Sequence, residues 1–208
     1  MYVKEGTVLD ISVTCLQRLP IYLNYLKTLE GDGYISSGAI ARALGMGEVL
    51  VRKDLAYTSA QGRTRVGYKK SELISALEEF LGCNDIKSTV LVGAGGLGSA
   101  LLAYGGFKNY GIEIVAAFDN DDKKAGADIS GKPVYPMSAL NEKIKELGAT
   151  LAVICVPAKA AQSVADELCL CGVKAILNFA PVLLRVDDGV TVRNIDVAAN
   201  LAILSSLI

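Results

Sequence analysis

The chain has 208 residues, of which 51% are hydrophobic and 21% are charged, and its formal net charge is -1. These values are typical of a folded globular protein and exclude a disordered, collagen-like or low-complexity chain. They also exclude a uniformly basic surface, so any contact with nucleic acid has to be local.

Histidine is absent, and the five cysteines form no C-x-x-C motif. This argues against a metal site, against much of acid–base catalysis and against a secreted disulfide framework. The chain opens with charged residues, Lys4, Glu5 and Asp10, rather than a signal peptide, and it has no apolar run of about 18 residues that could span a membrane. We therefore expect a cytoplasmic protein that binds neither metal nor membrane.

The first predicted helix spans about residues 12–30, because leucines recur at the helical 3-4-3 spacing from Leu16 to Leu26. Pro20 lies inside this stretch. It predicts either a kink or the first turn of the helix.

A helix-turn-helix pattern follows. Ser36 and Ser37 are placed to cap a short helix over Gly38–Leu44. A tight turn at Gly45-Met-Gly47 then leads into a longer helix, about Glu48–Gln61. A short helix, a glycine-containing turn and a longer helix are the elements of the helix-turn-helix pattern, which is found in DNA-binding proteins.

Basic residues are concentrated in the same region. Between Arg42 and Lys70 there are seven basic and two acidic residues. Residues 62–68 read as a small basic hairpin, a wing that can lie against phosphates or in a minor groove. A solvated basic face is the alternative, but the coincidence with a helix-turn-helix favours nucleic-acid binding.

The second half begins with a buried strand, Thr89–Val92, followed at once by a G-x-G-x-x-G loop and a helix. This is the context that a dinucleotide-binding loop requires. Gly93 permits the tight turn, Gly95 lets the backbone approach a pyrophosphate, and Gly98 allows the helix to pack closely on the strand. The helix N-terminus supplies free N–H groups for the phosphates.

Asp119 ends a second predicted strand, Ile112–Phe118, and lies 21 residues beyond Gly98. An acidic side chain there accepts hydrogen bonds from an adenosine ribose and repels a 2′-phosphate, which favours NAD(H). Because Lys123 and Lys124 follow closely, NADP(H) stays as the alternative coenzyme. Alternatively, Asp119 has no ligand and only forms the turn that follows the strand.

Two more strands, Leu151–Val156 and Ala175–Asn178, flank a helix at about Ala158–Cys171 and complete a doubly wound sheet. Val156-Pro157 and Asn178–Pro181 follow strand ends, at the edge where open α/β sheets bind ligands. Each could instead be an ordinary loop start.

The tail, residues 196–208, is almost wholly apolar and helical in pattern, with Asp196 as its N-cap. It is too short to span a bilayer. We expect it to be buried against a partner subunit, with packing on its own domain as the alternative.

The chain resembles the redox-sensing transcriptional repressors called Rex over nearly its whole length. The matching stretches are Arg18-Leu-Pro-Ile-Tyr22, Ser36-Ser37, Val51-Arg-Lys-Asp-Leu55, Gly67-Tyr68, Gly93–Gly98, Ala117-Phe-Asp119 with Lys124 and Gly126, Val156-Pro157 with Ala161-Gln162, Ile176–Pro181 and Asn194-Ile-Asp196.

The resemblance implies an N-terminal winged helix (residues 1–82), a Rossmann domain (83–195) and a C-terminal helix (196–208) exchanged in a homodimer. Members of the family bind double-stranded operator DNA when NAD+ prevails and release it when NADH occupies the site. The resemblance thus implies a repressor that responds to NAD and NADH.

Three sets of site residues follow from the motifs and the resemblance together. For the cofactor we predict Gly93, Ala94, Gly95, Gly96, Leu97, Gly98, Asp119, Asn120, Lys124, Val156, Pro157, Asn178, Phe179, Ala180 and Pro181. For DNA we predict Ser36, Ser37, Arg52, Lys53 and Tyr57, the last three on the recognition helix, with Arg63 and Arg65 in the wing. For the coupling of nicotinamide state to dimer closure we predict Tyr104 and Asp196.

The chain departs from the family pattern in places. Asn24 stands where the family usually has an arginine that pairs with the carboxylate corresponding to Asp196, Gly96 replaces a common asparagine, and the wing sequence differs. A divergent dimeric paralogue with altered or lost DNA binding is therefore an alternative function.

A dehydrogenase is the rival class. Tyr104 and Lys108 have the Y-x-x-x-K spacing of short-chain dehydrogenases, but Gly105-Gly106 between them should break the helix that would align them. We therefore expect no enzymatic activity.

Overall fold

The computed structural model describes residues 2–4, 7–9 and 11–208. Glu5 and Asp10, two of the charged residues that argue against a signal peptide, lie outside this part of the chain. Contacts within the chain divide it into two units, Met1–Asp85 and Ile86–Ile208.

The first unit is helical, with two short antiparallel strand pairs, β1 with β2 and β3 with β4. Its elements are β1 (Tyr2–Lys4), β2 (Thr7–Leu9), α1 (Val13–Thr28), β3 (Tyr34–Ile35), α2 (Ser37–Leu44), α3 (Glu48–Leu55), β4 (Tyr68–Lys69) and α4 (Lys70–Leu81).

Helix α1 begins where the sequence predicts it, because the Ser12 hydroxyl accepts a hydrogen bond from the Cys15 N–H at 3.2 Å. The helix continues through Pro20, so that proline does not mark its first turn. Leu19, Leu23 and Leu26 are fully buried and form the core face of the helix.

Helix α3 is shorter than predicted. It ends at Leu55 rather than near Gln61, so Tyr57 lies beyond the helix and not on it. Thr58 is the cause: its side-chain hydroxyl and its backbone N–H both donate to the Leu55 carbonyl, at 2.7 and 3.0 Å. This bonding takes the carbonyl that the next helical turn would need.

The predicted basic hairpin forms after α3. Arg63 and Gly67 exchange two backbone hydrogen bonds, at 2.8 and 2.9 Å, and Arg65 adopts a left-handed φ of 65°. Gly67 has a φ of 96°, and a Cβ atom there would lie 2.3 Å from the Ile35 carbonyl oxygen. Only glycine lets the hairpin approach β3 so closely.

The second unit is a seven-stranded sheet in the order β11-β10-β9-β5-β6-β8-β7, parallel except for the β7-β8 pair. Its elements are β5 (Lys87–Val92), α5 (Gly96–Ala103), β6 (Ile112–Asp119), β7 (Asp128–Ile129), β8 (Lys132–Pro136), α6 (Leu140–Glu146), β9 (Leu151–Ile154), α7 (Ala158–Leu170), β10 (Ala175–Asn178), β11 (Thr191–Asn194) and α8 (Val197–Ser205). The predicted doubly wound α/β sheet is confirmed.

The order of the strands reverses between β5 and β9. From β5 the chain adds strands on one side, through β6 and β8, and from β9 it adds them on the other, through β10 and β11. Ligands of open parallel sheets bind at such a switch point, outside the carboxyl ends of the strands. The loop after β5 and the loop after β9 both lie there.

The two faces of this sheet are covered unequally. Helices α6 and α7 cover one face, and α5 covers only part of the other. Beside α5, strands β9, β10 and β11 leave an apolar groove of about 190 Å³, whose lining includes Leu151, Val153 and Leu177.

Candidate functional site

The glycine loop connects β5 to α5 by a path that only glycine can follow at two positions. A Cβ atom would lie 2.6 Å from the Cys155 carbonyl oxygen at Gly93, and 2.0 Å from the Gly93 carbonyl oxygen at Gly98. At Gly95 and Gly96, by contrast, an added Cβ would meet no atom within 4 Å. The loop is therefore tightly packed at Gly93 and Gly98 and open at Gly95 and Gly96, where a ligand can approach its backbone.

Helix α5 begins at Gly96, within the glycine loop rather than after it, and no side chain caps it. Helix α7 also begins without a side-chain cap. Uncapped N–H groups at a helix N-terminus favour an anion. Both helices follow strands of the switch point, so both N-termini flank the same cleft.

Asp119 lies at the end of β6 and is 6% exposed. Its Oδ2 accepts hydrogen bonds from the Ala94 N–H at 2.8 Å and from Lys124 Nζ at 3.0 Å, and its Oδ1 accepts from the Asp121 N–H at 2.9 Å. Burial raises the pKa of Asp119, but these hydrogen bonds outweigh that effect and hold the pKa below its ordinary value. Asp119 is therefore an ionised group that also fixes the glycine loop, and its bond to Asp121 is of the turn type considered above.

A cleft of about 760 Å³ opens between the glycine loop, the end of β6 and the start of α7. This volume is within the range of small-molecule sites. Nine of the residues predicted for a cofactor line it: Gly93, Gly95, Leu97, Asp119, Asn120, Lys124, Val156, Pro157 and Phe179. The other six predicted residues lie outside this lining: Ala94, Gly96, Gly98, Asn178, Ala180 and Pro181.

Part of the cleft lining was not predicted from the sequence. Met137, Cys155, Ala160, Ser163, Val164 and Glu167 also face the cleft. Four of these recur along α7 at helical spacing, and the first turn of α7 follows a strand of the switch point. That periodicity was the signal available in the sequence.

Asn178 is fully buried and its amide is occupied by protein groups. Its Nδ2 donates to the carbonyls of Ala180 and Val182 and to Oδ1 of Asn194, and its Oδ1 accepts from the Ala180 N–H. The side chain therefore shapes the turn after β10, from which Phe179 reaches the cleft.

Burial raises the pKa of the Cys155 thiol to about 11, so the thiol in the cleft stays protonated at neutral pH. Burial also raises the pKa of Cys15 to about 12, where hydrogen bonding to Asp54 adds to the effect. A protonated thiol is a poor nucleophile.

In the first unit, α3 presents a basic face. Arg52 and Lys53 are exposed, whereas Val51, Asp54 and Leu55 are buried. Both wing arginines are exposed too, and the Arg63 guanidinium lies over the Tyr34 ring, 5.2 Å from its centroid. Ser36 accepts a hydrogen bond from the Ala39 N–H at 3.1 Å and so caps α2, while Ser37 is the first residue of that helix.

Asp54 anchors α3 to α1. Arg18 donates to both of its carboxylate oxygens, from Nε at 2.6 Å and from Nη2 at 2.8 Å, and the Tyr22 hydroxyl donates at 2.6 Å. Burial raises the pKa of Asp54, but the hydrogen bonds from Arg18, Tyr22 and Cys15 outweigh it and keep the pKa below its ordinary value. A paired, ionised carboxylate thus holds the exposed basic face in place.

The predicted coupling residues are accessible. Tyr104 is 61% exposed, and its ring meets Phe107 edge to face at 5.2 Å. Asp196 caps α8 by accepting from the Ala199 N–H at 2.8 Å. Asn24 lies on the exposed face of α1.

Within the described residues, no group of three or more histidine, cysteine, aspartate or glutamate side chains could hold a metal ion. In the same part of the chain, every helix is too short or too polar to cross a bilayer.

Two family models match the chain. The model described as "CoA binding domain" matches residues 84–182, and the one described as "Putative DNA-binding protein N-terminus" matches residues 10–56. Among curated proteins, the redox-sensing transcriptional repressor Rex of Porphyromonas gingivalis is 42% identical over 205 residues, which cover 97% of this chain and 94% of that protein. Rex of Desulforamulus reducens is 43% identical over 199 residues, 95% of each chain.

Solved structures of a Rex-family repressor, RSP, also match the chain. A crystal structure of RSP in complex with NAD+ and operator DNA matches with a TM-score of 0.90 and 30% identity, covering 96% of this chain and 93% of that one. A crystal structure of RSP with NADH matches with a TM-score of 0.85 and 29% identity, covering 96% and 95%. RSP itself is described as a Rex-family repressor.

Proposed function

This chain belongs to the Rex family of redox-sensing transcriptional repressors, and on that premise we propose that two copies of it bind a palindromic operator together and release it when NADH occupies the cleft of each. The chain is an NAD(H)-responsive DNA-binding regulator and not a dehydrogenase. Because its target is operator DNA, we place it in the cytoplasm.

The cleft suits an adenine dinucleotide. The open backbone at Gly95 and the uncapped start of α5 suit a pyrophosphate, and the ionised carboxylate of Asp119 suits a ribose with free hydroxyls. Lys124 pairs with Asp119 at 3.0 Å and partly neutralises it. When bound, the coenzyme supplies a nicotinamide ring whose oxidation state is the signal, and these residues hold its other end.

The basic face of α3 is the proposed reading surface for DNA. Arg52 and Lys53 project from the second helix of a helix-turn-helix, which is the helix that enters the major groove. Arg63 and Arg65 in the wing would neutralise phosphates and contribute affinity more than sequence preference. In a symmetric dimer, the two copies of α3 would read DNA half-sites about 34 Å apart or at a multiple of that distance.

Helix α8 supports the homodimer. Val197, Leu201 and Leu204 are 59%, 62% and 60% exposed within a single chain, so the helix does not bury itself on its own domain. An exposed apolar helix of this kind marks an interaction surface. We infer that two copies exchange their α8 helices, each covering apolar surface of the other.

Light scattering tests the exchange. Wild type should be a dimer and Leu201→Asp a monomer, because the introduced charge would be buried in the dimer. Leu170→Asp is the matched control, since Leu170 is also an exposed leucine of this unit, on α7. A dimeric Leu201→Asp protein would contradict the exchange.

The observation that most directly supports the proposal is the presence, in one chain, of an exposed basic helix-turn-helix and a dinucleotide cleft at a topological switch point. The test is fluorescence anisotropy at fixed salt with a duplex selected in vitro from random DNA. NADH should weaken binding more than NAD+ does, and equal effects would refute the sensing. If selection enriches no palindrome, the chain is a paralogue that has lost DNA recognition.

A further inference from the structure

The turn after β10 joins two places that matter for sensing. It begins at Phe179, which lines the cleft, and the chain returns from it through β11 to Asp196, the N-cap of α8. Whatever holds this turn to the end of β11 therefore lies between the coenzyme and the proposed dimer helix.

One buried amide makes that connection. Asn178 Nδ2 lies 3.1 Å from the Ala180 carbonyl oxygen and 2.9 Å from that of Val182, both in the turn, and 2.9 Å from Oδ1 of Asn194 at the end of β11. The Asn178 carbonyl oxygen also accepts the Ile195 N–H at 2.8 Å. Asn178 thus contacts the turn and the two residues that precede Asp196.

The bonding of this amide is competitive. A primary amide has two hydrogens, and Asn178 Nδ2 faces three acceptors. A displacement of the turn that strengthens its bonds to the amide weakens the bond to Asn194, and the reverse holds too. Because the side chain is fully buried, water cannot make up the difference.

We propose that Asn178 is a positioning residue that links the turn at Phe179–Val182 to the start of α8 through Asn194, so that a movement of the turn on exchange of NAD+ for NADH alters how Asp196 presents α8. This inference rests on the proposed function, since it assumes that the cleft senses the coenzyme. It assigns Asn178 no direct contact with the coenzyme.

The variants are made at Asn194, because this side chain is exposed and its replacement should leave the fold intact. Asn194→Ala removes the acceptor. Asn194→Asp keeps an oxygen in the same place and should restore the behaviour of wild type. Asn141→Ala, which removes an exposed amide on α6, is the matched control.

The readout is the coupling ratio, defined as the Kd for the selected duplex with NADH divided by the Kd with NAD+. In full-length Asn194→Ala this ratio should fall by about threefold or more, while the melting temperature and the NADH affinity of the DNA-free protein stay at wild-type values. Asn194→Asp and Asn141→Ala should keep the wild-type ratio.

Two results would overturn the inference while leaving the proposed function intact: an unchanged ratio in Asn194→Ala, or an equal loss in Asn194→Asp. A wild-type protein whose DNA affinity is the same with NADH and NAD+ would overturn both.

Discussion

Substitution of Asp54 by asparagine removes the charge that anchors α3 while keeping the side-chain shape. The Asp54 side chain is 4% exposed and that of Arg18 is 20% exposed, so the variant leaves a largely buried guanidinium without its counter-ion. Breaking a buried pair on one side costs about 3 to 5 kcal/mol, and the partial exposure of Arg18 favours the lower end. We therefore take a loss of about 3 kcal/mol. At roughly 4 to 8 °C per kcal/mol for a domain of this size, the melting temperature of the first unit should fall by about 12 to 24 °C.

Scanning calorimetry of the full chain at neutral pH measures this effect. Glu78→Gln is the matched control, because it makes the same change of charge in the same unit but breaks only a surface pair with Lys27, at a cost below about 1 kcal/mol. Since the folded pKa of Asp54 is depressed, its stabilisation is present above its ordinary pKa of 3.8 and is lost as the pH falls through the folded value. Melting temperatures of the two variants within about 3 °C of each other at neutral pH would refute the assignment of Asp54 as the anchor.

Three further predictions concern the two sites. The folded pKa of Asp119 is also depressed, so the stability of the second unit should fall as the pH drops below about 3.8, and Asp119→Asn should flatten that dependence in an acid titration followed by circular dichroism. Arg52→Ala should weaken operator binding by about tenfold or more, whereas Arg65→Ala should weaken binding to DNA of any sequence by a similar factor and lower the salt slope by about 1. Fluorescence anisotropy over a salt series measures both effects, and wild-type operator affinity in Arg52→Ala would refute the placement of Arg52 on the reading surface. Gly98→Ala should abolish NADH binding in a fluorescence titration, because its Cβ would lie 2.0 Å from a backbone oxygen, while Gly96→Ala has open space and should bind; equal affinities would count against the loop geometry.

Local patterns were sufficient for much of the fold. The glycine loop could be read from the sequence because its strand, turn and helix are contiguous, and Asp119 because its distance from Gly98 is nearly fixed by one βαβ unit. The position of α1 followed from the leucine spacing alone, and the structure adds the Ser12 cap. In these cases the residues that determine the structure are neighbours in the chain.

The features that the sequence did not reveal depend on competition or on distant partners. The end of α3 is decided by the hydroxyl of Thr58, which competes with the next backbone N–H for one carbonyl. Asp54 looked like one charge among several on a basic helix until its partners, 32 and 36 residues away, were seen. Likewise, the position of Asn178 at the end of β10 predicted a coenzyme contact, and nothing in the sequence indicated that its amide also binds the turn and β11.

The proposed function requires that coenzyme binding and DNA binding be coupled within one dimer, and thermodynamic linkage makes this coupling directly measurable. Calorimetry should show that NADH binds more weakly in the presence of the selected duplex than in its absence, by the same factor by which NADH weakens DNA binding. An NADH affinity that is identical with and without DNA would show that the two binding sites are not coupled.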